Sequence, residues 1–299
     1  MKITLRQMEV FAAIARHGQV TRAADEVALT QAAASMALAD LERQLDVRLF
    51  DRVGRRLHLS QIGRALLPQV LGVLDRAREI ESLGVGVDAA PSLALGASMT
   101  IGNYLLPPLL AELRRRHPAA EVRLGIHNSA TIEADLLAFR IDLGFVEGGV
   151  ISPRLRAVPW RQDKLCVFAA PDHPLAATGT LDPGAARTAE WVLREPGSGT
   201  RAVFERAFAG LSAVPRVVLE FAQPEAIRQA VRAGAGLGCL PEVTLADAFE
   251  GGWLVPLATP FFDLTRVLKV VRHQDKYLSA GLRTMLGLCG IEPAEGVPG

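Results

Sequence analysis

The chain has 299 residues, 49% of them apolar and 5% aromatic, and a formal net charge of +1. That length suits two or three domains with cores built from Leu, Val and Ala rather than from rings. No apolar run is long enough to cross a membrane, and Met1-Lys2 leads straight into an amphipathic segment instead of a signal-peptide core. A cytoplasmic protein with no membrane partner is expected.

Residues 1–60 carry nine Lys or Arg against seven acids. That surplus is too small to mark a nucleic-acid binder by bulk charge, so the signal there is patterning. Leu5-Arg6-Gln7-Met8-Glu9-Val10-Phe11 opens a helix with apolar residues at helical spacing. Val20-Thr21-Arg22-Ala23-Ala24 starts a short second helix, and Thr30-Gln31-Ala32-Ala33-Ala34-Ser35 a third. Paired alanines let two short helices cross at a steep angle. Thr30 is a good N-cap, whereas Gln19, ahead of the second helix, is a poor one. After Leu49-Phe50-Asp51-Arg52, the stretch Val53-Gly54-Arg55-Arg56-Leu57-His58-Leu59 reads as a hairpin turned by its glycine. This is the wing of a winged helix-turn-helix over residues 1–60.

Ser60 caps a long helix from about Gln61 to Leu83, which Pro68 should kink without ending. Its apolar residues are Ile62, Leu66, Leu67, Val70, Leu71, Val73, Leu74 and Ile80. That stripe is broader than one small domain needs: it either pairs with the same helix of a second copy or packs within the chain. Gly84 to Pro91 reads as a hinge closing the linker segment, residues 61–90.

Beyond Pro91 strands and helices alternate. Strands are expected at Leu93–Ala97, Val122–Ile126, Leu143–Val146, Leu165–Ala169, Val217–Phe221 and Val267–Val271. Helices are expected at Ile101–Arg116, Ile132–Phe139, Arg201–Ala209 and Glu225–Ala233. This is an α/β arrangement with largely parallel sheets. Its length fits two lobes, lobe I over about 91–160 and 263–292 and lobe II over about 161–262, with the chain crossing near Pro159 and Phe262. The Gly/Pro-rich tail after Ile291 is expected to be disordered. Cys166, Cys239 and Cys289 are odd in number, widely spaced and in apolar settings, as reduced core cysteines would be. A redox sensor would instead need an electropositive site and a resolving partner.

Together these residues resemble the LysR-type transcriptional regulators, over nearly the whole chain. The resemblance is most specific in Leu5–Phe11, Thr21–Ala24, Thr30–Ser35 and Leu49–Arg52. It implies that the third helix enters the major groove of double-stranded DNA while the wing follows the backbone. It also implies that residues 91–299 form a two-lobed, periplasmic-binding-protein-like effector-binding domain with a small ligand between the lobes. A homo-oligomer follows, a dimer or a tetramer built from dimers. Within the family, Ser98–Pro107, Phe139–Gly148 and Arg194–Arg201 look like the branch that answers sulfite. The last motif also occurs among regulators of carbon fixation genes, whose effectors differ. Gln19 and Met36 depart from the family, which often has a capping and a basic residue there.

Gln31 stands in the first turn of the expected recognition helix, where its amide can bond an adenine edge, and Ser35 lies one turn on. The alternative is that both are merely solvated. Thr21, Arg22 and Arg52 suit backbone clamps, Arg55 and Arg56 the phosphates or minor groove, and Thr30 marks the helix end that faces DNA. In the sensor, Ser98, Met99 and Thr100 lie between a strand and a helix, as do Gly197, Ser198, Thr200 and Arg201 in the other lobe. Each set offers hydroxyls and free amides at a helix N-terminus, which together suit a small anion. The alternative is that the hydroxyls only cap their helices. Asn128, Ser129 and Gln223 add neutral donors.

Glu147 would repel an anion unless it is protonated, pairs with Arg201, or accepts a proton from a partly protonated ligand. Scarce basic residues, with Arg201 the main one, favour a small anion over a sugar phosphate; an organic acid is the other alternative. No metal or cofactor is implied, since the six histidines show no i,i+4 pair or ligand cluster. Gly197-Ser198-Gly199-Thr200 lacks the Lys of a Walker loop and the full Gly-x-Ser-x-Gly elbow, which disfavours an enzyme. The rival of another class is a solute-binding protein or enzyme on the same two-lobed fold.

Overall fold

The computed structural model describes residues 2–54, 56–83 and 91–292. Arg55, residues 84–90 of the hinge expected from Gly84 to Pro91, and the tail from 293 lie outside the described residues.

The N-terminal unit comprises α1 (Leu5–His17), α2 (Val20–Glu26), α3 (Gln31–Leu45) and the hairpin β1 (Phe50–Val53) and β2 (Arg56–Leu59), followed by α4 (Gln61–Leu83). Thr4 opens α1 with a capping box: its hydroxyl accepts the Gln7 N–H at 3.2 Å, and the Gln7 amide oxygen accepts the Thr4 N–H at 3.0 Å. Gln19 gives α2 no side-chain cap, while the Thr30 hydroxyl accepts the Ala33 N–H at 3.2 Å at the start of α3. Ala23, Ala24 and Ala34 are all buried where these helices cross. Around them close Phe11, Ile14, Leu38, Leu41, Leu49 and Phe50, with Leu67, Val70 and Leu74 of α4. Each large side chain so buried contributes about 1.5–3 kcal/mol.

Gly54 turns the wing at φ +61. Ser60 joins wing to linker, its hydroxyl donating to the Arg48 carbonyl at 2.7 Å and accepting the Gly63 N–H at 3.0 Å. Gly63 is required there, since a Cβ would meet the Leu49 carbonyl oxygen at 2.1 Å. The helix α4 runs unbroken through Pro68. Its apolar stripe divides, because Leu67, Val70 and Leu74 enter the core whereas Ile62, Val73 and Ile80 stay exposed.

The remainder is built, in order, from β3 (Ser92–Ala97), a π-helical turn at Ile101–Leu105, α5 (Leu106–Arg116), β4 (Glu121–Ile126), α6 (Ser129–Leu137), β5 (Leu143–Glu147) and β6 (Leu155–Ala169). There follow α7 (Pro183–Thr188), β7 (Glu190–Arg194), α8 (Gly199–Ala209), β8 (Arg216–Phe221), α9 (Pro224–Arg232), β9 (Leu237–Pro241), α10 (Ala246–Glu250), β10 (Val255–Leu257), β11 (Thr265–His273) and α11 (Ala280–Leu288). The strands line up as β4-β3-β5-β11-β6-β9-β7-β8, with β10 paired to β6.

The sheets are mixed rather than largely parallel. Pairs β3–β4, β3–β5, β7–β8 and β7–β9 are parallel, but β6 and β11 run antiparallel to their neighbours and to each other. These two strands carry the chain between lobes, so their return direction is forced. Each lobe has its own core: Leu95, Ile101, Phe145 and Met285 in one, Trp191, Phe204, Phe208 and Leu257 in the other.

Candidate functional site

On the N-terminal unit, α3 buries Ala34, Leu38 and Leu41 and leaves Gln31, Ser35 and Met36 exposed. A spacing of four places Gln31 and Ser35 on one face. Thr21 and Arg22 are exposed at the start of α2, as are Thr30 ahead of α3, Arg52 on β1 and Arg56 on β2. Arg22, Arg52 and Arg56 carry no ion pair among the described residues, whereas three arginines elsewhere on the unit, Arg6, Arg16 and Arg43, are paired with the carboxylates of Glu9, Glu26 and Asp40.

Between the lobes the organising residue is Arg266, which the sequence reading passed over. Its side chain is 1% exposed. Nε donates to Asp163 Oδ2 at 2.7 Å, and Nη2 lies 2.5 Å from the same oxygen. Nη1 donates to the Thr200 hydroxyl at 3.0 Å and Nη2 to the Thr100 hydroxyl at 3.4 Å, so one guanidinium bridges both lobes. Nη1 also stands 3.5 Å from Glu147 Oε1. The strand pattern held the signal. In β11, Arg266 shares the inward phase of Leu268 and Val270, and a charge in that phase has to be paired or functional.

Thr100 and Thr200, expected on opposite helix ends, are thus brought together. The Ser98 hydroxyl is buried with no hydrogen-bond partner among the described residues, a polar group poised for one. Ser129 donates to Glu147 Oε2 at 3.3 Å. Ser198 caps α8 by accepting the Arg201 N–H at 3.4 Å, and Asn128 caps α6 by accepting the Thr131 N–H at 3.0 Å. The lobes touch here: Asn128 Nδ2 reaches Glu195 Oε1 at 3.4 Å, and the Ala130 N–H bonds the Gly197 carbonyl at 3.3 Å. Gly197 adopts φ +85, and a Cβ on Gly199 would come within 2.9 Å of Glu147 Oε2.

Three expected residues stand apart from this cluster. Arg201 turns to its own lobe, with Nε 2.5 Å from Glu205 and Nη1 bonded to the Arg194 carbonyl at 2.8 Å and 3.3 Å from Glu220. Glu147 therefore pairs with Arg266, not with Arg201. Gln223 is exposed at the start of α9 and gives it no side-chain cap, and Met99 is half-buried beside Thr100. Burial pushes the thiols of Cys166 and Cys289 up to about 11 and about 12, and raises Cys239 as well. Such thiols are poor nucleophiles. Among the described residues no group of His, Cys, Asp and Glu could hold a metal ion.

The chain matches the family model of the LysR substrate binding domain over residues 88–291 and that of the lysR-family bacterial regulatory helix-turn-helix over residues 5–64. It belongs to the LysR-type transcriptional regulators. Relatives span it almost end to end. An uncharacterized HTH-type transcriptional regulator of Escherichia coli, YeiE, is 43% identical over 97% of this chain and 98% of that protein. A RuBisCO operon transcriptional regulator of Allochromatium vinosum is 33% identical over 93% of both. Full-length OxyR from Pseudomonas aeruginosa has the same fold, with a TM-score of 0.74 at 22% identity over the whole of both chains. The regulatory domain of Synechocystis CcmR, solved in complex with 2-PG, is 30% identical with a TM-score of 0.62, covering 69% of this chain and 99% of that one. This LysR-type regulator thus joins an N-terminal helix-turn-helix to a two-lobed substrate-binding domain, and no helix among its described residues is long and apolar enough to cross a membrane.

Proposed function

We propose that this regulator binds double-stranded DNA through α3 and the wing, and that its DNA affinity answers a small anion, sulfite or a related sulfur oxyanion, held between the lobes. The observation that carries the reading is the buried Arg266 guanidinium shared by Thr100 of one lobe and Thr200 of the other. An anion bonded to Arg266 and both hydroxyls would hold the lobes closed, as a ligand with differential affinity for one conformation must. Ser98, Asn128, Ser129, Gly197 and Ser198 line the approach, with Met99, Arg201 and Gln223 outside it.

Size and charge favour a small ligand. The Arg266 guanidinium is already paired with two carboxylates, Asp163 and Glu147, which leaves little uncompensated positive charge at that point for a multiply charged phosphate ester. Glu147 suits an anion that carries a proton, because the carboxylate can accept it. An organic acid or sugar phosphate is the second reading, favoured by the 2-PG complex of CcmR. Residues 1–60 act as the DNA-binding domain, 61–90 as linker and hinge, and 91–299 as the effector domain, in the cytoplasm and without enzymatic activity. Ile62, Val73 and Ile80 of α4 remain exposed at spacings that suit a seam with a second copy, giving a homodimer from which a tetramer assembles.

Thr100→Ala combined with Ser198→Ala tests this. The expected outcome is loss of the sulfite response with effector-free DNA binding intact. An unchanged response removes the paired-helix-end site.

A further inference from the structure

A second charge cluster, outside the cleft and centred on a buried lysine between two half-buried carboxylates, ties the DNA-binding unit to the sensor. Lys276 follows β11, and its side chain is 8% exposed. Its ammonium stands 3.0 Å from Asp75 on α4 and 2.8 Å from Asp142, the residue before β5. Asp142 also accepts the Ala94 N–H of β3 at 2.8 Å, and Asp75 is bridged by Arg78 at 3.0 Å. One turn along α4, Glu79 accepts the Tyr277 hydroxyl at 3.0 Å and the Ala280 N–H at 2.6 Å. Ala280 opens α11, so a carboxylate of the linker helix satisfies a free amide at the positive end of a sensor helix. The Arg76 guanidinium lies over the Tyr277 ring, 4.9 Å from its centre.

The far ends of the same elements lie in the cleft. β5 is five fully buried residues beginning next to Asp142 and ending at Glu147, the partner of Arg266. At about 3.3 Å per residue it is a rod roughly 17 Å long. α6 makes a second such rod. It begins with Ser129 on Glu147, and just beyond its end Phe139 packs against the N-terminal core and lies 4.2 Å, ring to ring, from His273. Phe139 holds φ +53, a conformation a bulky residue keeps only where its surroundings fix it.

We propose that Lys276, held between Asp75 and Asp142, is the joint that passes lobe closure to the linker helix and so to the DNA-binding unit. This rests on the reading that the effector sits in the cleft. Movement of Glu147 or Arg266 on closure shifts β5 along its length, and with it Asp142. A buried ion pair tolerates little displacement, because its attraction offsets desolvation only at good geometry. Lys276 must therefore carry Asp75 with it or release it, which moves α4. Burial lowers the Lys276 pKa, but Asp142 and Asp75 outweigh it and raise the value overall, so the ammonium stays charged.

Lys276→Met in the full chain keeps the stem and removes the charge, and Asp75→Asn breaks the same joint from the linker side without touching the sensor. The DNA is a site selected from random duplexes by the wild-type protein, and the effector probe is sulfite. Both variants should bind sulfite within about twofold of wild type, yet the effector-dependent change in DNA affinity, about 5- to 150-fold in a coupled system, should collapse towards one. Their effector-free footprints should differ from wild type, and Lys276→Arg should restore coupling. Wild-type footprints and a wild-type response in both variants would overturn the joint. If sulfite does not bind wild type, the effector reading falls by itself, and the effector-free footprints still decide the joint.

Discussion

Replacing Arg266 with Met is the perturbation whose size follows most directly from the structure. Met keeps the unbranched stem and removes all five guanidinium N–H donors. Glu147 and Asp163, whose side chains are 4% and 13% exposed, then lose their shared cation. Removing one partner of a buried pair costs about 3–5 kcal/mol, because the remaining charge is left uncompensated. For a domain of roughly 200 residues each kcal/mol moves Tm by about 2–4 °C, so the sensor transition should fall by about 6–20 °C. The assay is urea and thermal unfolding of the full chain, with Asp163→Asn added as a second substitution. The double variant should recover about half of the loss or more, since the orphaned charge, rather than the missing contact, is the main cost. A loss below about 1 kcal/mol, the scale of an exposed pair, would refute the buried bridge.

Gln31→Ala should weaken binding to a selected site by about 1–3 kcal/mol while leaving random DNA nearly unaffected; equal losses in a mobility-shift series would show that Gln31 does not read sequence. Gly199→Ala puts a methyl group 2.8 Å from the Glu147 carbonyl oxygen across the lobe contact. It should therefore lower effector affinity in calorimetry without changing DNA contacts in the free protein, and unchanged affinity would mean that the lobes need not close there. His273 has its pKa lowered by burial, with Arg154 adding to this and Asp275 opposing it. Because the native ring resists a proton that the unfolded chain accepts near pH 6.5, its contribution is full above that pH and is lost as pH falls through the lower native value. His273→Asn should flatten the stability–pH slope just below 6.5, and an identical slope would contradict this.

The DNA-reading half was legible because its signals are local: a capping threonine, alanines at the crossing, a glycine at the turn of a basic hairpin. The sensor was legible where strands are apolar throughout and helices follow them. Strands β7 and β9 were not foreseen, since Glu190–Arg194 and Leu237–Pro241 are short runs whose pairing is decided by partners distant in sequence. Only the last third of β6 was foreseen, because Arg156–Lys164 is a largely polar, exposed ribbon that is a strand by virtue of β11. The expected helix at Ile101 begins with a π-helical turn, and its α-helical part starts just ahead of Pro107 and Pro108. In the candidate site Thr100 and Thr200, which meet at Arg266, are singled out in the sequence by helix-end patterns. The cation was assigned to Arg201 because that residue lies in the same motif, and nothing local could place Arg266, 66 residues further on, against Thr200.

The measurement that bears most directly on the account is calorimetric titration of the full chain with sulfite, sulfate, phosphate and 2-PG, repeated with Arg266→Met. The account predicts that sulfite binds, that sulfate and 2-PG bind far more weakly, and that Arg266→Met abolishes the sulfite heat. Tight binding of 2-PG without sulfite, or sulfite binding that survives the loss of Arg266, would contradict it.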